Sequence, residues 1–350
     1  MTKILAWGDL HAHPFTDFAE PDDITGNSRL TSIVNCLKFM REYCVENGIK
    51  YALDAGDIFH KRKAVDTETF NLVFNEIKAF GEAGIKVIMI PGNHNQVDNS
   101  DLPSHSIEPF KEIPNVTVLD RFEPFEIDDF IVFPAPYSKN AEMVKKAIDE
   151  YAYTTTNEGL EKKSILLAHL GVSGAFVGKS SYAMADSFTV EDLMPHAFRF
   201  VVLGHFHKYQ DLGGHHHVFY TGAPIQHNFN DSDQDKGCWV LDLEDGKKEF
   251  VEIPSPKFIT VTDWKSVDPK TLEGNFVRYQ VSSDEVEELA ESLPENSKHR
   301  LEVQKVYEED KRVDVDFSMS FEEIVEKYAE EFNAEAKEVG LEILREALTR

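Results

Sequence analysis

The sequence is poor in cysteine. Its three cysteines, Cys36, Cys44 and Cys238, are odd in number and form no CxxC pair. Isolated thiols of this kind argue against a disulfide framework and against a thiolate zinc site. The cysteine pattern is typical of a protein from a reducing compartment and predicts a cytoplasmic location.

Long hydrophobic runs are also missing. No stretch approaches the roughly 18 consecutive apolar residues that a membrane-spanning helix needs. The N-terminal sequence MTKILAWGDLHAH reaches Asp9 before the hydrophobic region of a signal peptide could form. We therefore expect no membrane segment and no secretion signal.

Positive charge is scarce, with 36 lysines and arginines against 63 acidic residues and a formal net charge of −27. This balance argues against a surface that binds polyanions throughout. The excess of acid is uneven, because residues 282–350 carry 21 acidic and 9 basic side chains. A local phosphate-binding site in the rest of the chain, above all one built around metal ions, is not excluded.

The chain is long and apolar enough for a substantial core, with 350 residues and 41% hydrophobic side chains. Short apolar runs at 3–9, 51–57 and 86–94 alternate with helical spacing at 30–40 and 70–77. This β-α-β-α-β order predicts an α/β fold with a parallel sheet and crossover helices.

The pattern changes after residue 115. A helix is predicted at about 140–152, and seven strand-like runs are predicted to form a second sheet packed on the first: 115–119, 130–135, 164–170, 198–205, 217–222, 237–243 and 249–253. Residues 253–256 resemble a linker. Beyond it, Ser320 and Glu323 form a capping-box pattern that opens two amphipathic helical stripes.

Five short motifs follow the predicted strands. They are Gly8-Asp9-Leu10-His11, Gly56-Asp57-Ile58-Phe59-His60, Gly92-Asn93-His94, His169 and Gly204-His205-Phe206-His207. Each is weak alone, but the carboxyl ends of parallel strands meet at one edge, so these groups should converge. Carboxylate, imidazole and amide donors suit two divalent ions such as manganese, iron or zinc. We expect the glycine before each ligand to supply a sharp backbone turn.

The set DxH, GDxxH, GNH, H and GHxH resembles the calcineurin-like metallophosphoesterases. GDIFH followed by Lys61-Arg62-Lys63, and Tyr220-Thr221-Gly222-Ala223-Pro224 followed by Lys236-Gly237-Cys238-Trp239, resemble the SbcD-type nuclease subunits of DNA repair and recombination. The short length and the helical tail are most similar to the tailed-phage recombination nuclease subunit. The resemblance covers roughly residues 1–255.

The resemblance implies a four-layer αββα metallophosphoesterase sandwich. A small C-terminal α+β capping domain and terminal helices would follow it. The implied boundaries are 1–255 for the nuclease domain, 256–319 for a capping or DNA-binding accessory domain, and 320–350 for helices that dock on an ATPase partner. From the residues alone, the two terminal helices could equally cover the core of their own chain.

The resemblance also implies the role of each site residue. One ion, most commonly Mn²⁺, would be held by Asp9, His11, Asp57 and His207. The second would be held by Asp57, Asn93, His169 and His205, with Asp57 bridging the two. His94 would stabilise the phosphorane or protonate the leaving 3′ oxygen, and His60 would contact the phosphate nearby.

The implied activity is that of a metal-dependent DNA nuclease, a 3′-5′ exonuclease on duplex ends and an endonuclease on single strands. It would work with an SbcC-type ABC ATPase and as a homodimer. A small-molecule or protein phosphoesterase with the same centre is the alternative within enzymes. A scaffold subunit with a degenerate site is a third hypothesis, which the complete ligand set disfavours.

Several polar residues near the motifs have open roles. Lys61, Arg62 and Lys63 are candidate DNA contacts or a solvated face, and Lys179 with Tyr182 could line a substrate groove. His13 and His227 could approach the site, whereas His215-His216-His217 is better explained as a solvated hairpin turn. Asn95 stands where the family commonly has an acid, and Ala223 stands where it has a hydroxyl residue. Neither change removes a candidate metal ligand.

Overall fold

The computed structural model describes residues 2–98, 100–177, 180–181, 188–293, 299–303 and 319–348. Lys179 and Tyr182 lie outside the described residues. In chain order the strands are β1 (Lys3–Trp7), β2 (Tyr51–Asp54), β3 (Lys86–Met89), β4 (Val116–Val118), β5 (Phe125–Ile127), β6 (Phe130–Ala135), β7 (Ser164–His169), β8 (Phe176–Val177), β9 (Ser180–Ser181), β10 (Phe200–Gly204), β11 (Gln210–Leu212), β12 (His215–Tyr220), β13 (Gly237–Asp242), β14 (Lys247–Glu252), β15 (Phe258–Val261), β16 (Phe276–Val281) and β17 (His299–Val303). The helices are α1 (Ser28–Glu46), α2 (Thr67–Glu82), α3 (Ala141–Glu158), α4 (Pro269–Leu272), α5 (Val286–Ser292), α6 (Phe321–Phe332) and α7 (Lys337–Leu348).

The first sheet has the strand order β14-β13-β1-β2-β3-β4. Strands β1 to β4 are parallel, with Trp7 opposite Asp54 and Asp54 opposite Met89. This confirms the predicted β-α-β-α-β order. Because α1 and α2 connect parallel strands, the carboxyl ends of β1, β2 and β3 all reach the same edge.

The second sheet has the order β11-β12-β10-β7-β6-β5, and its four central strands are parallel. The prediction that all seven later runs belong to it was wrong for three of them. The runs at 115–119, 237–243 and 249–253 contain β4, β13 and β14, which pair with the first sheet. A local apolar pattern identifies a strand, but its pairing partner depends on where the chain returns.

Alternate residues of each strand face different layers. Ile4 and Ala6 point between the two sheets, into a buried cluster that also contains Phe200 and Val202. Their neighbours Leu5 and Trp7 pack with residues of α1 and α2. On the far side, residues of the second sheet form a third cluster with α3. These layers, helix, sheet, sheet and helix, confirm the predicted αββα sandwich.

The helices begin where side chains can accept a free backbone N–H. Asn27, Asp66 and Asn140 cap α1, α2 and α3, as expected for short polar side chains at an N-cap. None of the described helices combines the length and the apolar character that a membrane crossing requires.

The chain divides into two compact units, Met1–Val281 with Glu287–Glu302, and Ser282–Val286 with Val303–Arg350. The first unit contains the sandwich and a three-stranded sheet of order β15-β16-β17. In the second unit, Ser320 and Glu323 form the predicted capping box at the start of α6. Helices α6 and α7 lie antiparallel, because Lys337 pairs with Glu330 and Arg345 with Glu322.

Candidate metal centre

The loops that follow β1 and β2 are hydrogen-bonded to each other. The peptide nitrogen of Asp9 donates to the Gly56 oxygen at 2.9 Å, and that of His11 donates to the Asp57 oxygen at 2.9 Å. The parallel pairing of the two strands thus continues into the loops. As a result, Asp9, His11 and Asp57 are fixed together at the carboxyl edge of the first sheet.

Four candidate ligands have a left-handed backbone. The φ angles are 54° at Asp9, 49° at His11, 59° at Asp57 and 108° at His205. Such conformations are uncommon for residues with a side chain and are concentrated at functional sites. The turn at these positions is therefore made largely by the ligand residues themselves.

The expected role of the preceding glycines is only partly right. Gly56 has a φ of 98° and supplies a turn, but Gly204 is needed for space. A Cβ on Gly204 would lie 2.2 Å from the Ala55 oxygen, on the facing sheet. A Cβ on Gly92 would lie 2.3 Å from Asp57 Oδ1. These glycines allow the ends of the strands to approach each other closely.

One half of the site, which we call the His11 half, consists of Asp9, His11 and His207. The Nε2 atoms of His11 and His207 are 3.0 Å apart. His11 Nε2 is also 3.9 Å from Asp9 Oδ1 and 3.8 Å from Asp57 Oδ2. Nitrogen and oxygen donor groups from the loops after β1 and β10 therefore point at one small volume.

The other half, which we call the Asn93 half, consists of Asn93, His169 and His205. Asn93 Oδ1 is 3.0 Å from His169 Nε2 and 3.0 Å from His205 Nδ1. His169 Nε2 is 3.2 Å from Asp57 Oδ2. The same oxygen of Asp57 therefore lies within 4 Å of both halves, as a bridging carboxylate requires.

The protonation of the imidazoles follows from their burial. Burial lowers the pKa of His11 well below its usual value and the pKa of His205 to about 3. Burial alone would also lower the pKa of His169, but the adjacent Asp57 carboxylate outweighs it and raises that pKa to about 9. His11 and His205 are thus neutral at pH 7, which is the form that binds metals. The raised pKa of His169 shows that this site favours a positive charge.

These residues fit a pair of divalent cations. The donor set contains two carboxylates, one amide oxygen and four imidazoles, a mixture suited to transition-metal ions. Among the residues that the structure describes, Asp9 and Asp57 form no ion pair with lysine or arginine, although both are buried. Buried carboxylates normally need a positive partner. Two M²⁺ ions would provide it.

His94 and His60 lie beside the His11 half and are more exposed than His11. The His94 ring is 4.8 Å from the His11 ring, and the His60 ring is 5.5 Å from each of them. His94 Nδ1 is 2.6 Å from the His60 carbonyl oxygen. That contact requires a proton on Nδ1 and leaves Nε2 as the other reactive nitrogen of the ring.

The basic triplet after His60 does not act as one surface. Lys61 and Lys63 are exposed, whereas Arg62 is half-buried and its Nε donates to the Asn93 carbonyl oxygen at 2.6 Å. The three residues line a cavity of about 440 Å³ together with Ala64, Val97 and Asp98. Lysine side chains are thus available beside the site, while Arg62 supports a candidate ligand.

The departure at Asn95 has a structural explanation. Asn95 is fully buried, and its Oδ1 accepts hydrogen bonds from the peptide nitrogens of Asp57 at 2.8 Å and Gly92 at 3.0 Å. An amide oxygen performs this task as a carboxylate would. Asn95 therefore holds the second and third motif loops together.

The remaining histidines differ in their distance from the site. The buried His227 ring packs 5.5 Å from the rings of His11 and His207, and the His13 ring lies 5.3 Å from that of His60. His215-His216-His217 begins β12 after a glycine turn, and His216 pairs with Asp211. The three-histidine run does not join the cluster.

Sequence reasoning overlooked Lys236, which the structure places behind His207 with its side chain 4% exposed. In the sequence it stands out only as the first residue of the Lys236-Gly237-Cys238-Trp239 pattern. A lysine that directly precedes the buried run of β13 is the one local signal that could have drawn attention to it.

The two-sheet sandwich, with mixed nitrogen and oxygen donors at its carboxyl edge, defines a metal-dependent phosphoesterase. The chain belongs to the calcineurin-like phosphoesterase family, whose profile matches residues 2–209. The resemblance found in the motifs is thereby confirmed.

Particular relatives carry nuclease names. The chain is 26% identical over 252 residues to exonuclease subunit 1 of Enterobacteria phage T4, which covers 71% of this chain and 67% of that protein. It is 23% identical over 361 residues to the DNA double-strand break repair protein Mre11 of Sulfurisphaera tokodaii, covering 93% and 88%. It is 28% identical over 182 residues to a component of the SbcCD nuclease of Staphylococcus epidermidis, covering 47% of this chain and 48%, about half, of that protein.

Proposed function

We propose that the protein is a divalent-metal-dependent DNA nuclease, with 3′-5′ exonuclease activity on duplex ends and endonuclease activity on single strands. The observation that carries the proposal is the position of Asp57 Oδ2, 3.8 Å from His11 Nε2 and 3.2 Å from His169 Nε2. This geometry suits a two-ion centre that hydrolyses phosphodiesters. The nuclease names of the relatives favour DNA as the substrate.

The proposed ligands divide between the two halves, with Mn²⁺ as the expected metal. Asp9, His11 and His207 would hold one ion, and Asn93, His169 and His205 the other, while Asp57 contributes to both. When bound, the ions supply Lewis acidity and lower the pKa of the attacking water. Asp57 and Asp9 keep the centre from accumulating excess positive charge.

His94 is proposed to carry the proton for the leaving group. Its Nδ1 proton is directed to the His60 carbonyl oxygen, so a second proton on Nε2 would be available for transfer to the departing 3′ oxygen. A general acid is valuable here because an alkoxide is a poor leaving group at neutral pH. The His60 side chain is proposed to bind a phosphate oxygen.

Lys61 and Lys63 are proposed to bind the DNA backbone. Both are exposed beside the cavity near His60, in a chain that is otherwise acidic. Lysine contacts to phosphate add affinity without reading the base sequence. Arg62 is better placed to hold the Asn93 carbonyl than to meet the substrate.

The terminal helices are proposed to dock on an SbcC-type ABC ATPase. On α6, Phe321 is 65% exposed and Phe332 52%, and on α7 Ile343 is 63% exposed. We accordingly assign 1–255 to catalysis, 256–319 to an accessory role and 320–350 to the partner. A homodimer in the cytoplasm is proposed from the resemblance.

The test is cleavage of end-labelled duplex and single-stranded DNA by the full chain with Mn²⁺. A chromogenic phosphodiester serves as the parallel substrate. We expect both DNA substrates to be cut, with short products released from duplex ends, and we expect EDTA to stop every reaction. Asp57→Asn should lose at least one ion per chain by elemental analysis, together with activity.

Three results would contradict the proposal. Hydrolysis of the chromogenic diester with intact DNA would indicate a small-molecule or protein phosphoesterase instead. Absence of hydrolysis on all three substrates, despite bound metal, would indicate a scaffold role. Unchanged manganese content and activity in Asp57→Asn would refute the bridging assignment.

A further inference from the structure

A buried lysine lies directly behind the His11 half. Lys236 Nζ donates to the backbone oxygen of His207 at 2.6 Å. It also contacts Gln234 Oε1 at 3.1 Å and Asp231 Oδ1 at 3.4 Å. An ammonium has three N–H donors, so these three acceptors satisfy it completely. Lys236 therefore ties the loop that carries His207 to the segment 231–236.

The partner carboxylate continues the connection to a second ligand. Asp231 is 6% exposed, and its Oδ2 accepts a hydrogen bond from the His227 peptide nitrogen at 2.9 Å. His227 Nε2 in turn lies 3.3 Å from the Asp9 backbone oxygen. The His227 ring also packs against the rings of His11 and His207. One ion pair thus reaches every ligand of the His11 half.

The Asn93 half has different supports. His169 Nδ1 is 2.8 Å from the Ala55 oxygen, and the Asn93 carbonyl accepts from Arg62. Neither contact involves Lys236 or Asp231. The two halves of the centre are therefore held by separate sets of residues.

We propose that Lys236 and Asp231 are positioning residues that set the metal affinity of the His11 half without touching the ions. This inference rests on the proposed two-ion centre. Taking an ion pair out of water is costly, and such a pair is often no more stabilising than apolar residues of the same size. A positioning role explains why the pair is placed behind His207. Removing such a support typically weakens metal binding by about 10–100-fold.

The test is a Mn²⁺ titration of the metal-free full chain, followed by electron paramagnetic resonance. Two neighbouring Mn²⁺ ions are magnetically coupled, whereas a single bound ion gives a six-line signal. We expect the wild type to reach the coupled state with two ions. Lys236→Met should bind the first ion normally and the second about 10–100-fold more weakly, so that the six-line signal persists. Lys236→Arg, which keeps a donor, should recover part of the affinity.

The matched control is Lys248→Met. Lys248 is 10% exposed and pairs with Asp211 at 2.6 Å, so it is also a largely buried lysine–aspartate pair. Its described contacts are with Asp211, Tyr209, Phe219 and Trp239 rather than with a proposed ligand. We expect this variant to bind both ions as the wild type does, even if its melting temperature falls.

The outcomes separate the inference from the proposed function. If Lys236→Met binds both ions normally, or weakens both equally, the positioning role is wrong. If Lys236→Met does not fold, Asp231→Asn must show the same selective loss, and normal binding by that variant overturns the inference. If the wild type never reaches a coupled two-ion state, the proposed centre itself fails.

Discussion

At the scale of single residues, His94 contributes to the site through two separable groups. Its peptide nitrogen donates to Asp57 Oδ1 at 2.7 Å, and its ring lies beside His11. A substitution of the side chain removes the ring but leaves the backbone contact in place. Metal binding and proton transfer can therefore be tested independently.

His94→Ala is expected to keep both metal ions and to lose most cleavage. General acid catalysis contributes about 10²–10⁴-fold, so the rate should fall at least about 100-fold at saturating Mn²⁺. Elemental analysis of the purified variant gives the metal content, and the labelled DNA assay gives the rate. A metal-free variant would show that His94 is a structural or ligand residue instead.

Asn95 is expected to matter for stability as a hydrogen-bond acceptor. Asn95→Leu would leave the peptide nitrogens of Asp57 and Gly92 buried without a partner, at roughly 1–3 kcal/mol each. Asn95→Asp keeps the acceptor and should retain most of the stability. Urea unfolding of the two variants and the wild type makes the comparison. Equal loss in both variants would mean that packing, not the acceptor, decides.

The sequence predicted the members of the cluster but not the residues behind them. Motif residues such as Asp9 and His205 follow strands, so their convergence depends only on strand order. Arg62 and Lys236 act on backbone carbonyls from distant parts of the chain. A carbonyl has no sequence signature, so contacts of this kind emerge only when the fold is known.

At the scale of the elements, the site depends on how closely the two sheets approach at their carboxyl ends. The end of β10 lies against the loop after β2, where Gly204 meets the Ala55 carbonyl. Patterns within each strand do not encode this distance, which is why the role of the glycines was only partly foreseen. The same limitation assigned β13 and β14 to the wrong sheet.

Gly204→Ala is expected to push the two sheets apart at the site. The added methyl would meet the Ala55 oxygen at 2.2 Å and His169 Nδ1 at 2.8 Å. Overpacking of this kind typically costs about 1–3 kcal/mol, and the Asn93 half should bind Mn²⁺ more weakly. Thermal unfolding and Mn²⁺ titration measure the two effects.

Gly26→Ala is the control for that variant. Gly26 has a φ of 72° and open space around its Cα, so alanine there adds backbone strain without a collision. We expect a modest loss of stability and normal metal binding. Normal metal binding by Gly204→Ala as well would show that the two sheets tolerate separation.

At the scale of the whole molecule, the candidate centre and the terminal helices belong to different compact units. Every proposed ligand lies in the first unit, whose last segment is Glu287–Glu302. Helices α6 and α7 lie in the second unit, where Tyr328 is 49% exposed and Leu348 62%. Apolar side chains on a helix face are typical of a surface that a partner covers.

Deletion of residues 320–350 is expected to spare Mn²⁺-dependent cleavage and to abolish association with an SbcC-type ATPase. The deletion removes α6 and α7 but no proposed ligand and no strand of either sheet. Co-expression followed by affinity pull-down measures association, and the chromogenic diester measures the activity of the truncated chain. As a matched control, Phe321→Glu with Ile343→Glu should break association in the full chain, because both side chains are exposed and apolar. Capture of the ATPase by the truncated chain would place the docking surface elsewhere, and loss of cleavage without the ATPase would mean that the helices support the catalytic unit.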